Sequence, residues 1–239
     1  MNLVIDIGNT SVKAAIFKGR DLVIMDRIAD AGADAIRAFC GHAAIDKVIV
    51  SSVGADPSDT VAHLREAGYW VHDLTWQSKF PFRNMYQTPE TLGVDRLAAV
   101  AGAISQFGQS TILVIDAGSA ITYDLISKGV FEGGTISPGM GMRFRALHTF
   151  TSRLPLCNYS HNFRYPATNT VDAITGGVIM GLAFELNEYI RSIRKEYTDL
   201  VTILTGGDSE LFTELIDDEF VTIPDLVIEG LNYLLEYNS

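Results

Sequence analysis

Three short segments of this 239-residue chain carry residue types suited to phosphate chemistry. The first is Asp6-Ile7-Gly8-Asn9-Thr10-Ser11-Val12-Lys13, a carboxylate, a glycine turn, polar side chains and a lysine in close succession. Glycine leaves backbone amides unobstructed, so they can converge on a phosphate. Asn9, Thr10 and Ser11 add donors, and Lys13 adds a cation. Asp6 would hold hydrated Mg2+ rather than meet phosphate directly, since like charges repel. An ordinary hairpin turn would use the same Asp and Gly. Recurrence weighs against the plain turn without removing it: Leu3-Val4-Ile5-Asp6-Ile7-Gly8-Asn9-Thr10 returns about 110 residues later as Leu113-Val114-Ile115-Asp116-Ala117-Gly118-Ser119-Ala120. Each copy is an apolar run ended by Asp, a spacer, Gly and a small polar residue. Two homologous lobes are expected, each presenting a carboxylate and a tight turn to a shared cleft.

The second segment, Gly93-Val94-Asp95-Arg96, stands where a helix should begin. A carboxylate and a guanidinium there could bind and deprotonate a hydroxyl substrate. An acid favouring the helix dipole beside a solvated arginine is the simpler alternative. The third, Thr205-Gly206-Gly207-Asp208, follows an apolar run. Its glycines would let a flat ligand such as adenine lie on the backbone, or would merely connect a strand to a helix capped by Asp208 or Ser209. The glycine-rich stretch from Gly133 to Met142 reads as a pocket loop or a plain connection, with Met140 and Met142 as core or interface filler. The five histidines show no metal-ligand spacing, and no Ser sits in a GxSxG context.

The elements that must position these residues follow from periodicity. Strands are expected at 2–7, 12–17 and 22–25, then a helix at 29–39 and a strand at 47–50. Asp56-Pro57 starts a helix, with Asp as N-cap and Pro at the first helical position. Another strand follows at 69–74. Thr88-Pro89-Glu90-Thr91 is a further helix start, leading into the stripe Leu97, Val100, Ala101 and Ile104, with Gly108 as its end. Strands at 111–116, 122–126 and 130–134 repeat the opening. A long helix begins near Thr170, a strand covers 201–204, and an amphipathic helix spans 226–237. Strands first and helices later, twice over, predict an α/β chain of two lobes with mixed sheets flanked by helices, residues 1–110 and 111–239, joined by a compact hinge.

The formal net charge is −11, which argues against a nucleic-acid or anionic-membrane binder. An anionic substrate must therefore be held by local groups and metal ions. Cys40 and Cys157 are isolated; they could form one disulfide but read better as a reduced pair, and a zinc site has no support. Asp6, Asn9 and Lys13 interrupt the N-terminal apolar run, so a signal peptide is not expected, and no stretch is apolar enough to span a bilayer. A cytoplasmic location is expected.

Together these motifs resemble the type III pantothenate kinases of the acetate and sugar kinase, Hsp70 and actin superfamily, over nearly the whole chain and in motif order. DIGNTSVK resembles the family's DxGNTxxK phosphate motif, which implicates residues 6–13 in ATP binding. GVDR matches the family's GxDR; by that resemblance Asp95 is the catalytic base, Arg96 binds the pantothenate carboxylate, and Gly93 and Val94 line the substrate. Tyr86 matches a tyrosine placed at pantothenate. DAGSAIT resembles DxGTAxT, with Asp116 as ligand of a monovalent cation and Ser119 replacing the usual Thr beside ATP. GGTISPG, Ala146-Leu147, Leu154-Pro155 and Asn169-Thr170 also fit, with Thr170 touching substrate. Gly206 and Gly207 fall on the nucleotide. The resemblance implies a duplicated ribonuclease H-like fold, a homodimer, Mg2+, and K+ or NH4+. It implies ATP-dependent phosphorylation of pantothenate with ATP between the lobes. The rival expectations are a kinase of another small hydroxy compound and a nucleotide-responsive regulatory protein of the same fold.

Overall fold

The run Leu3-Val4-Ile5 is buried on both faces, as a strand flanked by neighbours and covered by helices must be. A computed structural model describes all 239 residues. Its opening meander is β1 (Asn2–Ile7), β2 (Val12–Lys18) and β3 (Asp21–Ile28), followed by α1 (Ala33–Cys40), β4 (Lys47–Ser52), α2 (Ser58–Glu66) and β5 (Trp70–Asp73). The sheet order is β3-β2-β1-β4-β5. β2 is antiparallel to β1 and β3, whereas β1, β4 and β5 are parallel. Alternate residues of the central strands face opposite layers. Leu3, Ile5, Val48 and Val50 meet Ile36, Val61 and Leu64 of the first two helices. Val4 and Ile49 meet Ala98, Ala101, Leu231 and Leu234 on the other side.

The chain continues with β6 (Arg83–Asn84), a 3-10 turn at Pro89–Thr91, α3 (Val94–Phe107), β7 (Ile112–Ala117), β8 (Ala120–Ser127), β9 (Val130–Pro138) and α4 (Met140–Thr149). Then come α5 (Thr170–Glu196), β10 (Val201–Thr205), α6 (Ser209–Phe212), β11 (Val221–Thr222) and α7 (Leu226–Asn238). The second sheet has the order β11-β10-β7-β8-β9-β6. Numbered from β7 and read from β9 to β11, five of its strands run 3-2-1-4-5, the order of the first sheet. The sequence repeat is therefore a repeat of topology: the fold is a duplicated α/β unit of the ribonuclease H-like kind. The two turns are not copies, however. Four residues (8–11) separate β1 from β2, but only two (118–119) separate β7 from β8.

Two compact units result, Met1–Ser110 with Ile126–Gly133 and Asp225–Ser239, and Thr111–Leu125 with Gly134–Pro224. The last helix thus groups with the first unit, not with the residues after 110. It packs closely on α3: a Cβ at Gly230 would overlap Ala98 O, and one at Gly102 would overlap Leu226 O. Other elements differ locally from expectation. α1 starts at Ala33 rather than 29, because the Asp30 carboxylate accepts from Gly32 N (2.8 Å) and turns the chain first. Thr88–Thr91 forms its own turn, closed by Thr91 Oγ1 donating to Thr88 O (2.9 Å), and extended Leu92 separates it from α3. The glycine-rich stretch is not a loop: β9 continues to Pro138 and α4 begins two residues later. α2 starts at Ser58, so Pro57 rather than Asp56 is its N-cap and no side chain caps it; Asp56, one residue earlier, accepts from Ser58 N (3.0 Å). Both cysteines are free.

Candidate active site

In the first unit, Asp6, next to the last residue of β1, lies opposite Lys13 of β2 and Ser51 of β4. Its Oδ1 is sealed from solvent with no hydrogen-bond partner, and so is the Ser51 hydroxyl. Burial, with the charge of Asp95 adding to it, pushes the Asp6 carboxyl up to about 6, against smaller opposing effects of Ser51 and Lys13. Such a group is a carboxylate short of positive charge. Lys13 is shared: its Nζ lies 3.7 Å from Asp225 Oδ1, at the start of α7. Gly8 N donates to Ser11 O (3.1 Å), which closes the turn and leaves Asn9 and Thr10 exposed at its tip. Asn9 packs over Gly54, where a Cβ would come within 3.2 Å of its Oδ1.

Asp95 lies in the first turn of α3, after Gly93, and its Oδ1 accepts from Arg96 N (2.8 Å). Burial raises its carboxyl, partly offset by that amide and by the Arg96 charge. Arg96 is buried at 6% exposure, so it is not the solvated arginine of the simpler reading. Its guanidinium carbon stands 5.7 Å from the Tyr86 ring centre and 6.0 Å from that of Phe131. Those two rings are parallel within 2° at 6.4 Å. The parallel pairing of β6 with Val130-Phe131, continued by Met85 N donating to Phe131 O (3.0 Å), delivers Tyr86 to this place. A cation near aromatic faces gains electrostatic stabilisation from the rings. Asp6, Asp95, Arg96 and Tyr86 therefore belong to one polar neighbourhood within one unit. Sequence reasoning missed Phe131 and Asp225, because nothing in an apolar strand or before a terminal helix marked them.

In the second unit, Asp116, next to the last residue of β7, pairs in register with Thr205 of β10. Its turn is held from two sides by bare backbone. Gly139 N donates to Ser119 O (3.1 Å), and a Cβ at Gly139 would overlap Gly118 O. Gly206, at φ +94°, leaves its Cβ position against Asp116 Oδ1 and 2.5 Å from Ala117 O. Asp208 N donates to Ala117 O (2.9 Å). Only glycine fits at these two places. Gly207, by contrast, has open space around it. Thr170, exposed, is the first residue of α5, which Asn169 caps by accepting from Asp172 N (2.9 Å). No helix is long and apolar enough to cross a membrane.

The fold recurs in solved structures covering nearly all of this chain. A Campylobacter jejuni protein named as a candidate Baf family transcriptional activator matches at 24% identity and TM-score 0.63, covering 99% of this chain and 98% of that one. A ROK family glucokinase from Streptomyces griseus matches at 11% identity and TM-score 0.55, with 99% and 98% coverage. At those identities they speak for the actin-like α/β architecture alone. In sequence, a type III pantothenate kinase from Bacteroides fragilis is 40% identical over 240 residues, covering 100% of this chain and 99% of the relative. The family model described as type III pantothenate kinase matches residues 2–192, which include both Asp turns, GVDR and Thr170. The order, spacing and burial of those motifs agree with that match, and the chain belongs to the type III pantothenate kinase family.

Proposed function

We infer that this protein transfers the γ-phosphoryl group of ATP to the hydroxyl of pantothenate, giving 4'-phosphopantothenate at the entry to coenzyme A synthesis. The observation that carries this reading is the family match across residues 2–192 with Gly93-Val94-Asp95-Arg96 intact at the start of α3. Asp95 takes the hydroxyl proton as transfer proceeds; its raised carboxyl suits a base that must accept one. Arg96 receives the pantothenate carboxylate through its planar fork, with Tyr86 beside it and Phe131 behind. Gly93 and Val94 line the acceptor, and Thr170 supplies a hydroxyl to it. The 8–11 turn, with Ile7 and Val12 at its ends and Lys13 beyond, receives phosphate on its amides and polar side chains. Ser119, Gly206 and Gly207 serve the nucleotide. No covalent enzyme intermediate is required, because phosphoryl transfer depends on positioning and charge stabilisation.

Asp6 fits Mg2+: a sealed carboxylate oxygen without a partner suits a hard cation, which supplies neutralising charge at the phosphates. Asp116 Oδ1 and Ala117 O, drawn together by the glycine at 206, are oxygen donors suited to K+ or NH4+. A homodimer is supported by one face of α5, where Gly177 and Gly181 have no neighbour and Phe184 is 67% exposed. A cytoplasmic location follows from the supply of ATP there.

Phosphopantothenate formation from ATP, pantothenate and Mg2+, followed by mass spectrometry with and without K+, tests the reading. Product that rises with K+ supports it. ATP turnover on another hydroxy compound but not on pantothenate would refute the acceptor, and absence of turnover with every acceptor would refute the activity.

A further inference from the structure

The backbone of Gly139 forms the wall behind the Asp116–Ser119 turn, so whatever fixes Gly139 also fixes the turn. The helix that Gly139 opens has no side-chain cap. Arg143, one turn into α4, supplies the missing anchor. Its Nε donates to Pro138 O (2.8 Å), and its Nη2 donates to Ser137 Oγ (2.9 Å) and to Glu185 Oε2 of α5 (2.6 Å). The other Glu185 oxygen accepts from Tyr123 OH (2.8 Å), and the Tyr123 ring stacks on Tyr189, one helical turn beyond Glu185, at 4.1 Å. Tyr123 lies on β8, the strand that leaves the turn. The contacts therefore close a ring: turn, β8, α5, α4, the Pro138–Gly139 bend, and the turn again.

This ring is built to hold position. The guanidinium is a rigid planar fork, so its bonds to Pro138 O, Ser137 Oγ and Glu185 Oε2 together define where Pro138 lies. Arg143 and Glu185 side chains are only 20% and 22% exposed, so water and salt screen the pair weakly. Burial alone would raise the Glu185 carboxyl, but hydrogen bonds from Arg143, Ser137 and Tyr123 outweigh it and keep the group charged. At the far end there is no slack, because the Gly139 Cβ position already overlaps Gly118 O and sits 2.5 Å from Ser119 O.

We propose that Arg143, locked by Glu185 and Tyr123, is a positioning residue that sets the Asp116–Ser119 turn for the nucleotide and its monovalent cation. The proposal rests on the reading that Asp116 and Ser119 serve the ATP side of the reaction. Arg143 touches neither substrate; it acts through Gly139.

Steady-state kinetics of Arg143→Gln, Arg143→Lys, Glu185→Ala and the Arg143→Gln/Glu185→Ala pair test it. Arg143→Gln is expected to raise the KM for ATP and the K+ concentration for half-activation about five- to tenfold, leaving the KM for pantothenate within about twofold. Lys, which can reach only one of the three acceptors at a time, should recover part of that loss. The double variant should be no worse than the worse single one, since both break one ring. Asn187→Ala is the structural control: it frees Leu215 O and Asp217 N from the same long helix and should leave both KM values alone. If Arg143→Gln fails to fold, Arg143→Lys is read by the same criterion. Unchanged ATP and K+ constants in a folded variant would overturn the proposal. So would equal rises in both KM values that track the melting temperature as in Asn187→Ala. Ser119→Ala and Asp116→Asn separate the levels: if they raise the ATP and K+ constants and Arg143→Gln does not, the clamp alone fails. If they change neither, the assignment of the turn fails and the clamp with it.

Discussion

The clearest physical consequence of the site is that Asp6 costs stability when ionised and unliganded. Its carboxyl is displaced from 3.8 to about 6 by burial and the neighbouring Asp95 charge. Because the folded state binds this proton more tightly than the unfolded chain, unfolding releases it between those pH values, and stability falls as pH rises through them. Below pH 4 the group is protonated in both states and costs little. Above pH 6 the full penalty of about 3 kcal/mol is present, at 1.36 kcal/mol per pH unit of displacement. Asp6→Asn removes the titration. Its amide has a burial cost of its own, but that cost does not change with pH and cancels when two pH values are compared. At pH 4.5 about a third of the penalty has appeared, so the stability gap between variant and wild type should widen by about 2 kcal/mol between pH 4.5 and 7.5. For a chain of this size that is a relative gain in melting temperature of about 4–8 °C for the variant. The assay is thermal unfolding in buffers free of nucleotide and divalent metal, repeated with MgCl2. Magnesium should raise the wild-type melting temperature at pH 7.5 and leave the variant unmoved, since a ligand stabilises only the state that binds it. A gap that is the same at both pH values would refute the raised carboxyl, and equal Mg2+ responses would refute its role as the metal's ligand.

Asp95→Asn should lower kcat by about 10²–10⁴, the usual worth of a general base, with ATP affinity within about twofold by equilibrium dialysis. Wild-type turnover in that variant would remove Asp95 from the chemistry. Gly206→Ala should abolish K+ stimulation and lower the melting temperature, because a methyl group at φ +94° must displace the Asp116 carboxylate and Ala117 O. A variant that melts and responds to K+ as wild type does would show that this approach is not needed. Phe131→Leu should cost about 1–2 kcal/mol of stability and raise the KM for pantothenate more than that for ATP, as Tyr86 and Arg96 lose the ring they face. Equal changes in the two constants would mean that Phe131 is core packing only.

The fold was legible where burial alone decides structure. A strand flanked by partners needs an apolar run such as Leu3-Val4-Ile5 or Leu113-Val114-Ile115, and the same run twice announced the same sheet twice. Candidate groups stood out where chemistry restricts residue choice, at the repeated Asp6 and Asp116, whereas Asp95 and Arg96 drew attention through the GVDR resemblance. What stayed hidden depends on partners far away in sequence. Glycine inside a helix only weakens it by propensity, yet Gly102 and Gly230 let α7 pack directly on α3. The expected strand stopped at Gly134 because Thr135-Ile136-Ser137 beside so many glycines carry no clear periodic signal, although β9, next to β8, continues to Pro138. Phe131 and Arg143 are ordinary members of an apolar strand and an amphipathic helix until the acceptors and rings around them are known. Periodicity reports that a residue is covered, and residue type reports what it can donate or accept; neither reports which neighbour receives it. For that reason the groups proposed to meet substrate could be picked out from motifs in the chain. The groups that hold them in place, Phe131 behind Arg96 and Arg143 behind Ser119, needed three-dimensional contacts, and substitution at those supporting positions tests the placement of the site most directly.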